Sequence, residues 1–190
     1  MAPPISPEKP TTFWGVFSGA IDQNSFQKFL NSFTFITHQE GLNKHLHLLF
    51  QSNGGLIADG VALYNFVKTA PMDVSLYNSG TLQSMATVVF LAAEKRIVSQ
   101  YATFMIHRPT CAPLALTVDR LTTVLQSLKI DDERVDAILR SKLNLSETQW
   151  TDLRNNEFWF TASDAVKGGI ATEIGDFSPP RGAQLFIFSP

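Results

Sequence analysis

The chain has 190 residues, enough for one domain with a sizeable hydrophobic core; 44% of them are hydrophobic and 17% are charged. A net charge of −2, without any cluster of basic residues, argues against a nucleic-acid-binding protein. The single cysteine, Cys111, excludes an internal disulfide, and nothing in the sequence suggests a zinc site. The sequence shows no signal peptide and no apolar run of membrane-spanning length, so we expect a cytoplasmic protein.

Residues 1–12 are proline-rich and are expected to form a flexible segment before a single domain at residues 13–190. Alternating and continuous apolar runs predict short strands at 13–17, 45–50, 74–77, 96–98 and 103–106. Helical spacing of apolar residues predicts helices at 21–35, 58–69, 84–93, 117–143, 145–154 and from 159 to 166. Asp22 is the expected N-cap of the first helix.

The repeated order of strand, glycine-containing turn and helix predicts right-handed β-α-β units and a parallel sheet, and hence an α/β fold. The amphipathic helix at 117–143 is too long for a simple crossover connection. We therefore predict that it protrudes from the domain or packs on a partner, and the low charged fraction of the chain also favours an oligomer.

Ser84 lies at the start of a segment that is almost entirely small and apolar through Ala93. Such a composition predicts a helix that is buried on all sides. The unpaired N–H groups and the positive dipole end of that helix would face the serine, which suits an oxygen nucleophile whose substrate develops negative charge. Most serines at helix starts are only N-caps, so this position alone does not identify a nucleophile.

Two further motifs have the chemistry that a serine nucleophile needs. His107 ends an apolar strand before Arg108-Pro109, and histidine is the side chain that titrates near neutral pH, although a lone histidine is more often structural. Gly54 and Gly55 follow another strand, where glycines let the backbone approach a ligand and offer N–H groups to an oxyanion. A lone glycine pair is more often only a tight turn.

Taken together, these motifs make the chain resemble the Clp protease proteolytic subunit (ClpP) family from about Phe13 to Ile174. The matching segments are Ser52-Asn-Gly-Gly55, Gly80-Thr-Leu-Gln-Ser84-Met85, Met105-Ile-His107-Arg-Pro109 and Thr161-Ala-Ser-Asp-Ala-Val166. In the family these read roughly Ser-Pro-Gly-Gly, Gly-Gln-Ala-Ala-Ser-Met-Gly, Met-Ile-His-Gln-Pro and Met-Ser-Ala-x-Glu-Ala. The resemblance implies an α/β, ClpP/crotonase-like fold of repeated β-β-α units with a long protruding handle helix.

The resemblance also implies an activity, that of a serine endopeptidase without a cofactor or metal. Ser84 would be the nucleophile and His107 its general base, while the N–H groups of Gly55 and Met85 would form the oxyanion hole. Substrates would be peptides or unfolded proteins, bound by strand addition near Leu56, Ile57 and the segment 109–112. The subunits would assemble into a homo-oligomeric ring, as a heptamer or stacked rings.

In the family an aspartate joins the serine and the histidine as the third member of a catalytic triad, and this chain differs at that position. The aspartate of the family falls on Glu157, which can also orient a histidine. Asn156 is the alternative if the register shifts by one residue. If neither residue orients His107, the pair would be a weak or conditional dyad.

Other features limit or compete with this interpretation. Family members dock an AAA+ unfoldase through a longer N-terminal segment, and the dozen residues before Phe13 argue against such docking here. The bulkier Thr81-Leu-Gln83 before the serine would narrow the site. The rival functions are a catalytically inactive ClpP-like structural subunit and, less favoured, a crotonase-type acyl-CoA enzyme.

Two further groups of residues lie outside these motifs. His45 and His47 share one face of a strand, but without nearby carboxylate or cysteine partners a strand surface or core edge is favoured over a metal site. The apolar tail residues Leu185, Phe186 and Phe188 would anchor either a neighbouring subunit or the chain's own core.

Overall fold

The computed structural model describes residues 11–41, 43–110 and 117–189, so the predicted flexible segment lies almost wholly outside the described residues, as does Cys111. Its centre is a six-stranded, fully parallel sheet in the order β8-β5-β3-β2-β1-β9. The strands of this sheet are β1 Thr12–Ser18, β2 His45–Gln51, β3 Asp73–Asn78, β5 Lys95–Val98, β8 Glu173–Ile174 and β9 Leu185–Ile187. The predicted parallel α/β sheet is therefore confirmed.

A second, three-stranded sheet lies next to the serine and histidine segments. It contains β4 Thr81–Gln83, β6 Thr103–Ile106 and β7 Phe158–Thr161, with β4 parallel and β7 antiparallel to β6. Sequence reasoning missed β4, because three residues are too few to show a strand periodicity.

Six helices complete the described part of the chain: α1 Gln23–Thr37, α2 Ile57–Lys68, α3 Met85–Phe90, α4 Val118–Lys142, α5 Glu147–Asp152 and α6 Ala162–Lys167. Asp22 caps α1 as predicted, since its carboxylate accepts from the Ser25 N–H at 2.8 Å. The core between α1, α2 and the large sheet is rich in phenylalanine, and Phe17 stacks on Phe50 with their ring centroids 4.7 Å apart.

Helix α4 protrudes over its N-terminal half, as its length predicts. Only Val135 and Leu139 among its residues are buried, whereas Val118 is 81% exposed and Leu125 is 57% exposed. Its C-terminal half is therefore fixed to the body of the protein, while apolar side chains of the N-terminal half face outward.

The predicted helix from Trp159 is wrong at its start. Residues 158–161 form β7, whose Phe158 and Trp159 pair with Ile106 and Met105. The helix begins only at Ala162, where the Thr161 hydroxyl caps it by accepting from the Asp164 N–H at 3.3 Å. Aromatic residues favour a strand when a partner strand is present, and that tertiary pairing overrides the local helical spacing.

The tail residues pack on the chain's own core. Strand β9 pairs with β1, and Phe188 is fully buried with its ring centroid 5.0 Å from that of Phe29. Gly15 makes room for this ring, because a Cβ at that position would lie 2.5 Å from Phe188. Leu185 stays 44% exposed at the sheet edge.

The predicted helix from Ser84 to Ala93 is shorter than expected, although its six residues are all buried as predicted. Its last turn tightens, since the N–H groups of Leu91 and Ala92 donate to carbonyls three residues back. The freed Ala93 carbonyl accepts from the buried Arg96 guanidinium at 2.6 Å, and the same guanidinium also donates to the carbonyls of Ile170 and Gly169.

Replacement of Arg96 with methionine is expected to lower the free energy of unfolding by about 3 kcal/mol, because the carbonyls that it satisfies would stay buried without donors. Chemical denaturation measures the change. Arg181→Met, which removes an exposed arginine, is the matched control and should leave the midpoint unchanged. An Arg96→Met protein as stable as this control would show that the carbonyls find other donors.

His45 and His47 lie on one face of β2, as the strand alternation predicts, and their rings stack with centroids 4.1 Å apart. His45 Nε2 lies 2.7 Å from the Ser75 hydroxyl and His47 Nδ1 lies 2.7 Å from the Tyr77 hydroxyl. Trp14 stacks on the other side of His47 at 4.3 Å. No group of three or more metal-binding side chains occurs in the described residues. This pair thus belongs to an aromatic layer on the sheet.

The stacked histidines make stability depend on pH. Burial, followed by the charges of His45 and Lys95, lowers the pKa of His47 from 6.5 to about 4, and burial also lowers the pKa of His45. Because the unfolded chain binds more protons between these values, the free energy of unfolding is expected to fall as the pH drops below 6.5 towards 4. Denaturation of wild type and His47→Phe between pH 7 and 5 tests this, since the variant should lose much of the slope.

Candidate active site

Ser84 has an unusual backbone conformation at the junction of β4 and α3. Its φ of 55° and ψ of −128° are rare for a residue with a side chain, and it is one of two such residues with positive φ in the described chain. The strained turn is held by its own N–H, which donates to the Met105 carbonyl at 2.9 Å. Ser84 is the N-cap residue of α3, yet its hydroxyl makes no capping hydrogen bond. The ordinary N-cap interpretation therefore does not explain this serine.

The hydroxyl of Ser84 instead meets His107. Its Oγ lies 2.8 Å from His107 Nε2, across a sequence separation of 23 residues. Strand β6 brings the two together, because it pairs with β4 and ends at Ile106, directly before the histidine. In the tautomer that carries its proton on Nδ1, the ring accepts the hydrogen bond from the serine and can take its proton.

The glycine turn lies against the same serine. Gly54 has a φ of 95°, and a Cβ there would lie 2.9 Å from both the Gln83 carbonyl oxygen and Ser84 Cβ. Only glycine allows this close approach. The turn is fixed on both sides by Ile21, whose N–H donates to the Gly54 carbonyl at 2.9 Å and whose carbonyl accepts from the Leu56 N–H at 2.8 Å.

Two backbone N–H groups beside Ser84 are free to bind a ligand. Neither the Gly55 N–H nor the Met85 N–H has a hydrogen-bond partner within the described ranges. Met85 is the first residue of α3, where helix geometry leaves the N–H unpaired. Such N–H groups stabilise developing negative charge on an oxygen.

A cavity of about 70 Å³ adjoins the serine and the histidine. Its wall includes Gly55, Met85, Val88, Pro109 and Val135, in addition to Ser84 and His107. The cavity is small, and its wall combines polar and apolar surface. A much larger groove of about 900 Å³ runs beside it, between Pro109 and helix α4.

Glu157 lies opposite His107 in the extended strand register but is not hydrogen-bonded to it. Continuing the antiparallel register from Ile106 and Phe158 by one step puts Glu157 opposite His107. The Glu157 side chain is exposed, and neither it nor any other side chain in the described ranges is hydrogen-bonded to His107 Nδ1. Asn156 donates its amide to the Asp152 carbonyl at 3.0 Å instead.

Comparison with known proteins supports the resemblance that the motifs indicated. The sequence model of the Clp protease family matches residues 15–177, which is most of the chain. The chain belongs to the Clp protease family. The strained Ser84, His107 and the glycine turn all lie within this matched region.

Relatives in this family are distant in sequence. The ATP-dependent Clp protease proteolytic subunit 2 of Corynebacterium diphtheriae is 25% identical over 137 residues, which cover 71% of this chain and 68% of the relative. The subunit 2 of Treponema pallidum is 21% identical over 142 residues, covering 74% of this chain and 71% of the relative. A mutant ClpP1 from Listeria monocytogenes has the same fold, with a TM-score of 0.75 at 20% identity over 86% of this chain and 91% of that one. The ClpP-like fold is thereby confirmed.

No helix in the described ranges is both long and apolar enough to cross a membrane.

Proposed function

We propose that this Clp family member is a serine endopeptidase that uses Ser84 as nucleophile and His107 as general base. The observation that carries the proposal is the 2.8 Å contact between Ser84 Oγ and His107 Nε2, made by a serine whose strained backbone turns its hydroxyl away from capping. Strained residues of this kind concentrate at functional sites.

The proposed reaction is acyl transfer to serine and then to water. His107 Nε2 takes the hydroxyl proton while Oγ forms a bond to the peptide carbonyl carbon, and the carbonyl oxygen becomes an oxyanion held by the N–H groups of Gly55 and Met85. The C–N bond then breaks as the imidazolium gives its proton to the leaving amine. Water attacks the acyl-enzyme with the same base, and the carboxylic acid product leaves with Ser84 restored.

The proposed substrate is an extended peptide with a small side chain at the bond to be cut. The cavity of about 70 Å³ beside Ser84 has Val88 and Val135 in its wall, so a methyl-sized group fits where an aromatic ring does not. Leu56 is 60% exposed after the glycine turn, but its N–H and carbonyl already bond Ile21 and Gly60, so its backbone offers no free edge for the strand addition expected there. The other proposed edge includes Pro109 and continues beyond the described residues.

The proposed assembly is a homo-oligomeric ring, as a heptamer or stacked rings. It is supported by membership of a family whose relatives are named proteolytic subunits, and by the exposed apolar side chains of α4. Those relatives are named ATP-dependent.

Glu157 is proposed to orient His107 once its side chain turns from solvent towards Nδ1, a position that the strand register supports. Glu157→Gln is then expected to lower kcat by about tenfold to a hundredfold, since the imidazolium loses its charged partner. Asn156→Ala is the matched control and should keep activity within about twofold. Equal activities for all three proteins would show that neither residue orients the base.

One observation favours the rival function, that of a catalytically weak or structural subunit. His107 Nδ1 has no hydrogen-bond partner among the described residues. Hydrolysis of fluorogenic peptides with alanine or phenylalanine before the scissile bond separates the two functions. The proposal expects turnover of the alanine peptide by the wild type and by Ser178→Ala, which changes an exposed serine, but not by Ser84→Ala. A well-folded wild type that turns over no peptide would favour the structural subunit.

A further inference from the structure

The segment that carries His107 has little regular structure of its own. Residues 107–110 follow directly after the last β6 pair and belong to no strand or helix. The ring of His107 nevertheless has to stay within hydrogen-bond distance of Ser84. Some contact outside the sheet must therefore fix this segment.

The next residue, Arg108, makes such a contact. Its two terminal guanidinium nitrogens bind two carboxylates of α4: Nη2 lies 2.7 Å from Asp132 Oδ2, and Nη1 lies 2.6 Å from Asp136 Oδ1. The three side chains are only 26%, 31% and 24% exposed, so the pairs are partly screened from water. A planar guanidinium that binds two fixed carboxylates has one preferred orientation.

One of the two carboxylates, that of Asp136, is itself anchored by further contacts. Asp136 accepts a second bond from Arg140 Nε at 2.7 Å, and the Arg140 guanidinium lies 4.4 Å from the centre of the Trp150 ring. Val135, between the two aspartates, is buried and also lines the cavity beside Ser84. These two ion pairs, the Arg108 fork, thus tie the histidine segment (residues 107–110) to the C-terminal half of α4, which packs on the body of the protein.

We infer that Arg108 is a positioning residue, which holds the His107 imidazole against Ser84 by fastening its segment to Asp132 and Asp136 of helix α4. The inference rests on the proposed function, since it gives the histidine a catalytic task. It adds a residue that touches neither substrate nor nucleophile. A displacement of about 1 Å in a catalytic group costs about a hundredfold in rate, so a lost tether is expected to appear in kcat.

Arg108→Gln, in the full-length chain, is the direct test. We expect kcat for the alanine peptide to fall about tenfold to a hundredfold, with KM within about twofold of the wild type, because the base and not the substrate site is displaced. Arg108→Lys keeps the charge without the fork and should recover only part of the rate. Arg134→Gln is the matched control, because Arg134 pairs with Asp131 on the same helix but contacts no residue of the histidine segment.

Asp132→Asn breaks the same fork from the other side, as Arg108 is the only side chain that pairs with Asp132 in the described residues. Its loss of kcat should be smaller than that of Arg108→Gln, and the two losses should not add in the double variant. This variant retains the arginine and tests the tether even if Arg108→Gln folds poorly.

A second readout does not need turnover. NMR of ring-labelled histidine resolves the four histidines of the chain, and Arg108→Gln should shift or broaden the His107 signal while His38, His45 and His47 stay unchanged. A wild type without activity but with this selective response would refute the proposed function and keep the tether. Wild-type kcat and an unchanged His107 signal in Arg108→Gln would overturn the inference and leave the proposed function intact.

Discussion

His107→Ala is expected to lower kcat/KM for the alanine peptide by about a thousandfold or more, while leaving the fold intact. The ring is half-exposed at the end of β6, so its loss removes little packing, but it removes the base 2.8 Å from Ser84 Oγ. A serine hydroxyl without an adjacent base is a weak nucleophile at neutral pH. Steady-state hydrolysis and circular dichroism of the same sample measure both parts of the prediction.

The control for this variant is His38→Ala. His38 lies at the C-terminal end of α1, where its ring nitrogen bonds only the Thr34 carbonyl of the same helix. The control removes an exposed imidazole that does not line the cavity beside Ser84, and it should keep full activity. Retention of wild-type activity by His107→Ala would assign the base to another group.

Gly55→Ala is the second substitution with a large expected effect. A Cβ at this position would lie 2.0 Å from the Ile21 carbonyl oxygen, a distance that no side-chain movement relieves because the obstacle is backbone. The turn must shift, and the Gly55 N–H would move away from the position proposed for the oxyanion. We expect a loss of about a hundredfold in kcat from the displaced donor and a loss of about 2 kcal/mol or more in stability.

Gly19→Ala is a matched control for the backbone strain. Its φ of +143° resembles the +155° of Gly55, yet a Cβ at Gly19 would meet nothing within 4 Å. Both variants therefore carry the strain of an L residue at positive φ, and only Gly55→Ala adds the steric clash. Equal activity and stability for the two would show that the turn beside Ile21 is adaptable.

The sequence allowed the parallel sheet and most helices to be predicted, because each has a clear apolar period. The strand at 45–50 and the helix at 117–143 differ from the observed β2 and α4 by at most one residue at each end. Local sequence patterns gave wrong predictions where contacts with a more distant segment of the chain determine the structure. The aromatic run from 158 is a strand only because β6 lies beside it, and the turn that follows α3 is held by Arg96, which binds the Ala93 carbonyl.

The candidate site, too, could be predicted from the sequence only in part. The types and order of Ser84, His107 and the glycine pair pointed to acyl transfer, and the structure places their side chains and backbone around one cavity. The Arg108 fork was missed, because the two aspartates lie 24 and 28 positions further along the chain and look like an ordinary solvated helix face. The division of the chain at residue 12 and its cytoplasmic location stay predictions.

The most direct measurement of the central claim is labelling with a fluorophosphonate, followed by peptide mapping by mass spectrometry. The probe reacts with serines that are activated by a base and an oxyanion hole. We expect one adduct per chain, on Ser84, that disappears in Ser84→Ala and in His107→Ala. A folded, oligomeric wild type that carries no adduct on Ser84 would contradict the proposed peptidase.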